Sequence, residues 1–136
     1  MLAGRAMEKK RILEGLRILV VEDEYLLAEE VADLVTGAGG VVLGPARHAA
    51  AALELLLAGP APDMAVLDID LQGKPVYPVA EALVIRSIPF LFVTGFGEHA
   101  VLPKFANMVR LQKPYAPELL LAQLQTFATT ITRSDN

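Results

Sequence analysis

Six side chains in this sequence could handle a phosphate or a hard cation: Glu22, Asp23, Asp68, Asp70, Thr94 and Lys113. Four of them close a short apolar run. Glu22-Asp23 follows Ile18-Leu19-Val20-Val21, Asp68 follows Met64-Ala65-Val66-Leu67, and Thr94 ends Phe90-Leu91-Phe92-Val93. Lys113 follows Met108 to Leu111, and Asp70 lies two residues beyond Asp68. Three carboxylates gathered in one crevice repel, and each raises the others' pKa, so such a cluster needs a cation. All-oxygen ligands with positions left for water suit Mg²⁺ better than a transition metal. A lysine and a threonine hydroxyl beside it would meet phosphate oxygens. A carboxylate such as Asp68 can act as a nucleophile and form an acyl phosphate, in a transfer that depends mainly on positioning and charge neutralisation. Each residue also has a plainer reading alone: Asp68 as a cap, Glu22-Asp23 as acids favouring a helix N-terminus, Thr94 as a turn cap, Lys113 as a solvated surface lysine. The common register of all four strand ends favours the chemical reading.

That reading requires a scaffold which brings strand ends together. Arg17–Val21 is unbrokenly apolar from Ile18 on and rich in β-branched residues, as expected of a strand buried on both faces. A helix is predicted over Tyr25–Ala38, with Leu27, Val31, Leu34 and Val35 on one side and Glu29, Glu30 and Asp33 on the other. Val41–Leu43 forms a second strand closed by Gly44-Pro45, and Arg47–Ala58 a second helix stopped by Gly59-Pro60. After the third strand, Gln72–Pro75 reads as a loop and Val76–Ser87 as a helix whose Pro78 is tolerated only in the first turn. Phe90–Thr94 is the fourth strand. A weak helix is expected over Glu98–Ala106, with Pro103 inside it, then a fifth strand over Met108–Leu111. The last helix starts at Pro117-Glu118, with Leu120, Leu121, Leu124, Phe127 and Ile131 on its apolar face. Strand and helix alternate five times, which implies a doubly wound five-stranded parallel sheet with right-handed crossovers and helices on both faces. All C-terminal strand ends of such a sheet lie on one edge, where ligands bind.

The chain has 136 residues, of which 54% are hydrophobic, enough for one domain with a real core. Residues 1–15 read as an N-terminal extension, 16–132 as the folded domain and 133–136 as a tail that frays. The net charge of −4 argues against a nucleic-acid partner. The absence of cysteine excludes disulfides and thiolate metal sites. The two histidines, His48 and His99, are far apart and read as surface residues. No apolar run approaches the ~20 residues of a membrane helix, and the N-terminus has no signal-peptide h-region. A cytoplasmic location with no membrane partner is the expectation. No dinucleotide-type or P-loop glycine spacing is present.

Glu22-Asp23, Asp68, Thr94 and Lys113-Pro114, each behind its apolar run, together resemble a response-regulator receiver domain of two-component signalling, over about residues 16–132. The resemblance implies a (βα)5 flavodoxin-like fold with strand order 2-1-3-4-5. It implies that Asp68 is the phosphoacceptor, charged by a histidine kinase or histidine phosphotransfer protein. It also implies that Asp23, Asp68 and the backbone carbonyl of Asp70 bind Mg²⁺, with Glu22 acting through water. Thr94 would be the switch hydroxyl, Lys113 the phosphate contact, and Lys113–Pro114 a cis bond. No output domain follows, so the chain looks like a stand-alone receiver that signals to a downstream protein by changing a binding face. Its only catalysis would be self-phosphotransfer and self-dephosphorylation. Phe92-Val93-Thr94-Gly95-Phe96 is similar to a group of single-domain receivers from alphaproteobacteria, with Val93 and Gly97 standing where that group usually has Ala and Tyr.

Other positions depart from the common receiver pattern. The aromatic switch residue usually found three positions before the lysine is Arg110 here. Leu71-Gln72 replace the usual Met-Pro, and Asp70 and Phe96 occupy positions that tune phosphoryl lifetime. With Arg110 in that place, the signal is expected to leave through Arg110's charge or through the Phe96–Phe105 segment. Two alternatives stand beside this reading. One is a receiver-like binding module that is not phosphorylated. The other is a small phosphatase with Asp68-Ile69-Asp70 as an Asp-x-Asp nucleophile motif, as in haloacid-dehalogenase-like enzymes; the order of the acidic groups along the chain opposes it.

Overall fold

The computed structural model describes residues 11–95 and 101–135. Its strands are β1 (Arg17–Val21), β2 (Val41–Ala46), β3 (Met64–Asp68), β4 (Phe90–Thr94) and β5 (Arg110–Gln112), and its helices are α1 (Tyr25–Gly37), α2 (Ala49–Leu57), α3 (Tyr77–Ile85) and α4 (Pro117–Asp135). The sheet is parallel, with order β2-β1-β3-β4-β5. The doubly wound architecture and strand order expected from the sequence are therefore present.

Alternation along the central strands divides the core in two. Leu19, Val21, Ala65, Leu67, Phe90 and Phe92 face one way and pack with Ala52 and Leu56 of α2 and Val79, Ala80 and Leu83 of α3. Ile18, Val20, Met64, Val66, Leu91 and Val93 face the other way and pack with Val31 and Val35 of α1 and Leu120 and Leu124 of α4. These strands are buried on both faces, which is why they read as unbroken apolar runs. Leu13 is fully buried in the second layer, and its amide donates to the Ala38 carbonyl at 2.9 Å.

Element boundaries move where a backbone constraint outweighs the apolar pattern. β2 runs past Gly44-Pro45 to Ala46, with a shift in register against β1 and a cis Gly44–Pro45 bond. The ladder resumes when Glu22 N–H donates to the Ala46 carbonyl at 2.9 Å. α2 begins at Ala49 because His48 is its N-cap, its Nδ1 accepting from Ala51 N–H at 3.1 Å. The expected loop at Gln72–Pro75 contains a small hairpin in which Asp70–Leu71 pairs with Lys74–Pro75. The helix expected over Glu98–Ala106 is not formed among the described residues; 101–106 hold a single 3₁₀ turn, Pro103–Phe105. Pro103 supplies no N–H, and Leu102 before it is held extended at φ −54°, ψ 141°. Phe96 and His99 lie outside the described residues. β5 starts two residues later than expected, because Met108 N–H closes the preceding turn on the Phe105 carbonyl.

The backbone at Gly44 leaves no room for a side chain. Its φ is +101°, and a Cβ there would lie 2.7 Å from Ala46 N and 3.0 Å from the Val20 carbonyl oxygen. Gly44→Ala is expected to destabilise the fold by about 2 kcal/mol or more, read as a lower urea midpoint with an unchanged m-value.

Candidate functional site

The strand register alone assembles the reactive edge. Val21 is opposite Leu67, so Glu22 and Asp23 leave β1 beside Asp68. Asp68 is opposite Val93, so Thr94 follows on the next strand, and Thr94 is opposite Gln112, so Lys113 follows on the last. Lys113 N–H donates to the Thr94 carbonyl at 2.8 Å, which fixes the height of the lysine on the edge. The Lys113–Pro114 bond is cis, as the resemblance implied.

Glu22, Asp68 and Thr94 are buried, at 5%, 4% and 7% exposure, whereas Asp23 is half-buried. A carboxylate oxygen from each of Glu22, Asp23 and Asp68 can be chosen so that all lie within 4.8 Å of one another. Lys113 Nζ bridges two of these acids, 3.0 Å from Asp68 Oδ2 and 3.1 Å from Glu22 Oε1, with Glu24 Oε1 at 3.7 Å. Backbone donors hold the other oxygens. Asp70 N–H donates to Asp68 Oδ1 at 3.1 Å, and Glu24 N–H donates to Glu22 Oε2 at 3.1 Å. The Asp70 side chain points away into its own turn and accepts from Gly73 N–H at 2.7 Å. A role for Asp70 through its backbone rather than its carboxylate is compatible with that placement.

The electrostatics show a site with too much negative charge. Burial, followed by the hydrogen bond and negative charge of Asp68, pushes the Glu22 carboxyl up from 4.5 to about 8. Burial alone would lower the Lys113 ammonium. The hydrogen bond and charge of Asp68, and then of Glu22, outweigh it and hold the lysine above its usual value, so it stays protonated. One ammonium thus faces three carboxylates. The donor set is all oxygen, partly buried and short of positive charge, which fits a hard divalent cation such as Mg²⁺.

Three further residues belong to this edge. Glu24 joins the lysine's ion pairs. Arg47, brought over by the irregular end of β2, donates from Nη2 to the Asp23 carbonyl at 3.2 Å. Tyr115 is half-buried beside the acids, and burial followed by the charge of Glu22 raises its phenol. Glu24 directly follows Glu22-Asp23 in the sequence, where no role was expected of it. Arg47 was not legible, because its position depends on the bulge. A groove of about 700 Å³ opens next to Lys113, with Leu27 and Leu34 in its lining and Glu24, Glu30 and Asp33 at its acidic side.

No family model matches the chain. Among solved structures it is similar to SdrG from Sphingomonas melonis Fr1, at 35% sequence identity and TM-score 0.73, over 85% of this chain and 97% of SdrG. It is also similar to the N-terminal domain of a response regulator/sensory box/GGDEF 3-domain protein from Carboxydothermus hydrogenoformans, at 25% identity and TM-score 0.74, over 88% of this chain and 99% of that one. Among curated proteins, the phyllosphere-induced regulator PhyR of Methylorubrum extorquens is 29% identical over 120 residues, 85% of this chain and 43% of PhyR. The chain therefore spans less than half the length of that curated relative.

The raised Glu22 carboxyl has a consequence for the metal-free protein. Between pH 4.5 and about 8 the folded state holds a proton that the unfolded state has released. Stability in the presence of a chelator is expected to fall as pH rises through that window, by at most about 1.4 kcal/mol per pH unit. Urea titrations at pH 5, 6.5 and 8 check this, and Glu22→Gln should flatten the dependence.

Proposed function

The chain belongs to the response-regulator receiver family, and from that premise we propose that it is a phosphoacceptor: a histidine kinase or histidine phosphotransfer protein delivers a phosphoryl group to Asp68, and the protein signals by presenting a changed face to a downstream protein. The observation that carries this reading is the buried Asp68–Lys113–Glu22 arrangement, a carboxylate held by one ammonium and one backbone N–H beside two further acids. Acids gathered this closely repel one another, and an ammonium placed among them suits phosphoryl transfer.

An Asp68 carboxylate oxygen attacks the donor phosphorus. The donor's P–N bond breaks as the O–P bond of an aspartyl phosphate forms, and the imidazole keeps the electron pair and takes up a proton. Asp70 N–H and Lys113 hold the carboxylate oriented before transfer. Afterwards Lys113 pairs with a phosphoryl oxygen in place of the lost carboxylate charge, and the Thr94 hydroxyl donates to another. Asp23, Asp68 and the Asp70 carbonyl would hold Mg²⁺, with Glu22 acting through water; when bound, the ion offsets the negative charge that the acids and the phosphoryl group bring together. Attack of water on the aspartyl phosphate returns Asp68 and inorganic phosphate. Burial of Asp68 limits access of that water. The groove beside Lys113 offers a donor protein an approach to the site. The cytoplasm, where such donors present their phosphohistidines, is the proposed location; among the described residues no helix is long and apolar enough to cross a membrane.

Incubation with acetyl phosphate and Mg²⁺, followed by intact-mass analysis, tests the reading. One added phosphoryl group is expected, lost with Asp68→Asn and lost on chelation. Lys113→Ala is expected to slow its appearance by roughly tenfold or more, as removal of a charged group from a transferring phosphoryl does. No adduct in the wild type, even with a beryllofluoride trap, would instead support a binding module that works unmodified.

A further inference from the structure

We propose that Tyr77 is the residue through which the state of Thr94 reaches the protein surface: it holds the turn at 101–105 against α3, and phosphorylation of Asp68 releases that hold, making the turn and the adjoining flank of α3 the output face. The inference rests on the phosphoacceptor reading and goes beyond it by assigning the route and the surface.

The route begins in strand alternation. Phe90, Phe92 and Thr94 project from the same face of β4, the face that packs on α3 and the 101–105 turn. Phe92 meets Tyr77 edge-on at 6.2 Å between ring centroids and Phe105 edge-on at 5.7 Å. Tyr77 and Phe105 lie stacked, 5.3 Å apart and 13° from parallel. The Tyr77 hydroxyl accepts from Leu102 N–H at 3.3 Å. One side chain at the start of α3 therefore grips the turn at both ends, by its ring at Phe105 and by its oxygen at Leu102. The hold continues at the surface. Lys104 pairs with Glu81 of α3 at 2.5 Å and sits 5.5 Å over the Phe105 ring.

The alternative route through β5 lacks a comparable part. Arg110 is exposed on the edge strand, and its contact with β4 is backbone pairing opposite Phe92. Among the described residues, β5 itself contributes no aromatic side chain that could follow Thr94. When Thr94 turns toward a phosphoryl group, the space it leaves is next to Phe92 on the aromatic face. Close-packed rings respond to such a space by repacking together. The 101–105 segment carries a single 3₁₀ turn, Pro103–Phe105, so fewer backbone hydrogen bonds oppose its movement than oppose movement of α3.

Hydrogen exchange on the full chain, with and without Mg²⁺ and beryllofluoride, tests this beside the acetyl-phosphate mass assay. In the wild type, beryllofluoride is expected to raise exchange across 101–108 and the first turns of α3 by roughly tenfold. Tyr77→Ala should show that raised exchange without beryllofluoride and little further response, while still forming the adduct. Tyr77→Phe keeps the stack and loses the Leu102 bond, so it should fall between the two. An adduct with exchange changes confined to β5 and α4, or a Tyr77→Ala protein that responds as the wild type does, would overturn the inference alone. Absence of any adduct would overturn the phosphoacceptor reading and this inference with it.

Discussion

The rest of the structure depends on one electrostatic constraint. Three carboxylates stand at the same sheet edge, two of them buried, and a single ammonium lies among them. A buried carboxylate without compensation shifts its pKa and takes up a proton, which is the direction seen at Glu22. Lys113 can offset only part of the charge. The Asp70 and Glu24 amides supply what the lysine does not, each bonding the carboxylate two residues before it. The fold thus spends two chain reversals immediately after β1 and β3 on holding acids in place. A sheet edge built only for stability would place an apolar or capping residue at these positions, and the local structure would be simpler for it.

The same constraint explains why the central strands are so apolar. The edge carries charge that cannot contribute to packing, so the stability must come from the two layers beneath it. β1, β3 and β4 are buried along nearly their whole length, and each gives up its last position or the next one to a polar group. β5 is different. It is short, partly exposed and held at the edge, and its main task is to deliver Lys113 at the right height through the bond to the Thr94 carbonyl.

That division between strands also decided what could be read from the sequence. Asp68, Glu22, Asp23 and Thr94 were legible because each ends an unbroken apolar run, and parallel register turns such ends into neighbours. The β4 limits were legible for the same reason, whereas β5, with no clean run, was displaced by two residues. What escaped was set by contacts between segments distant in sequence or by backbone chemistry without periodicity. Arg47 reaches Asp23 only because Gly44-Pro45 changes the register of β2. Nothing in the pattern around Tyr77 distinguishes a residue that stacks on Phe105 from one that faces solvent. The 101–105 turn replaced an expected helix because one proline removes an N–H and fixes the residue before it.

The parity of β4 then connects chemistry to surface. A strand has two faces, and a residue at its end belongs to one of them by the count from its neighbours. Thr94 shares its parity with Phe90 and Phe92, not with Leu91 and Val93. A one-residue change in that count would turn the hydroxyl toward α1 and α4 and leave the aromatic cluster with no connection to the phosphoacceptor. The Thr94 carbonyl accepts from Lys113 N–H, so the place of Thr94 in the strand count is fixed together with the height of the lysine. The ring next to it, Phe92, is therefore positioned by the same register that positions the acids. Tyr77 and Phe105 are the groups that Phe92 touches on the way to the surface, so the geometry that assembles the site also selects the side of the molecule on which its state can be felt.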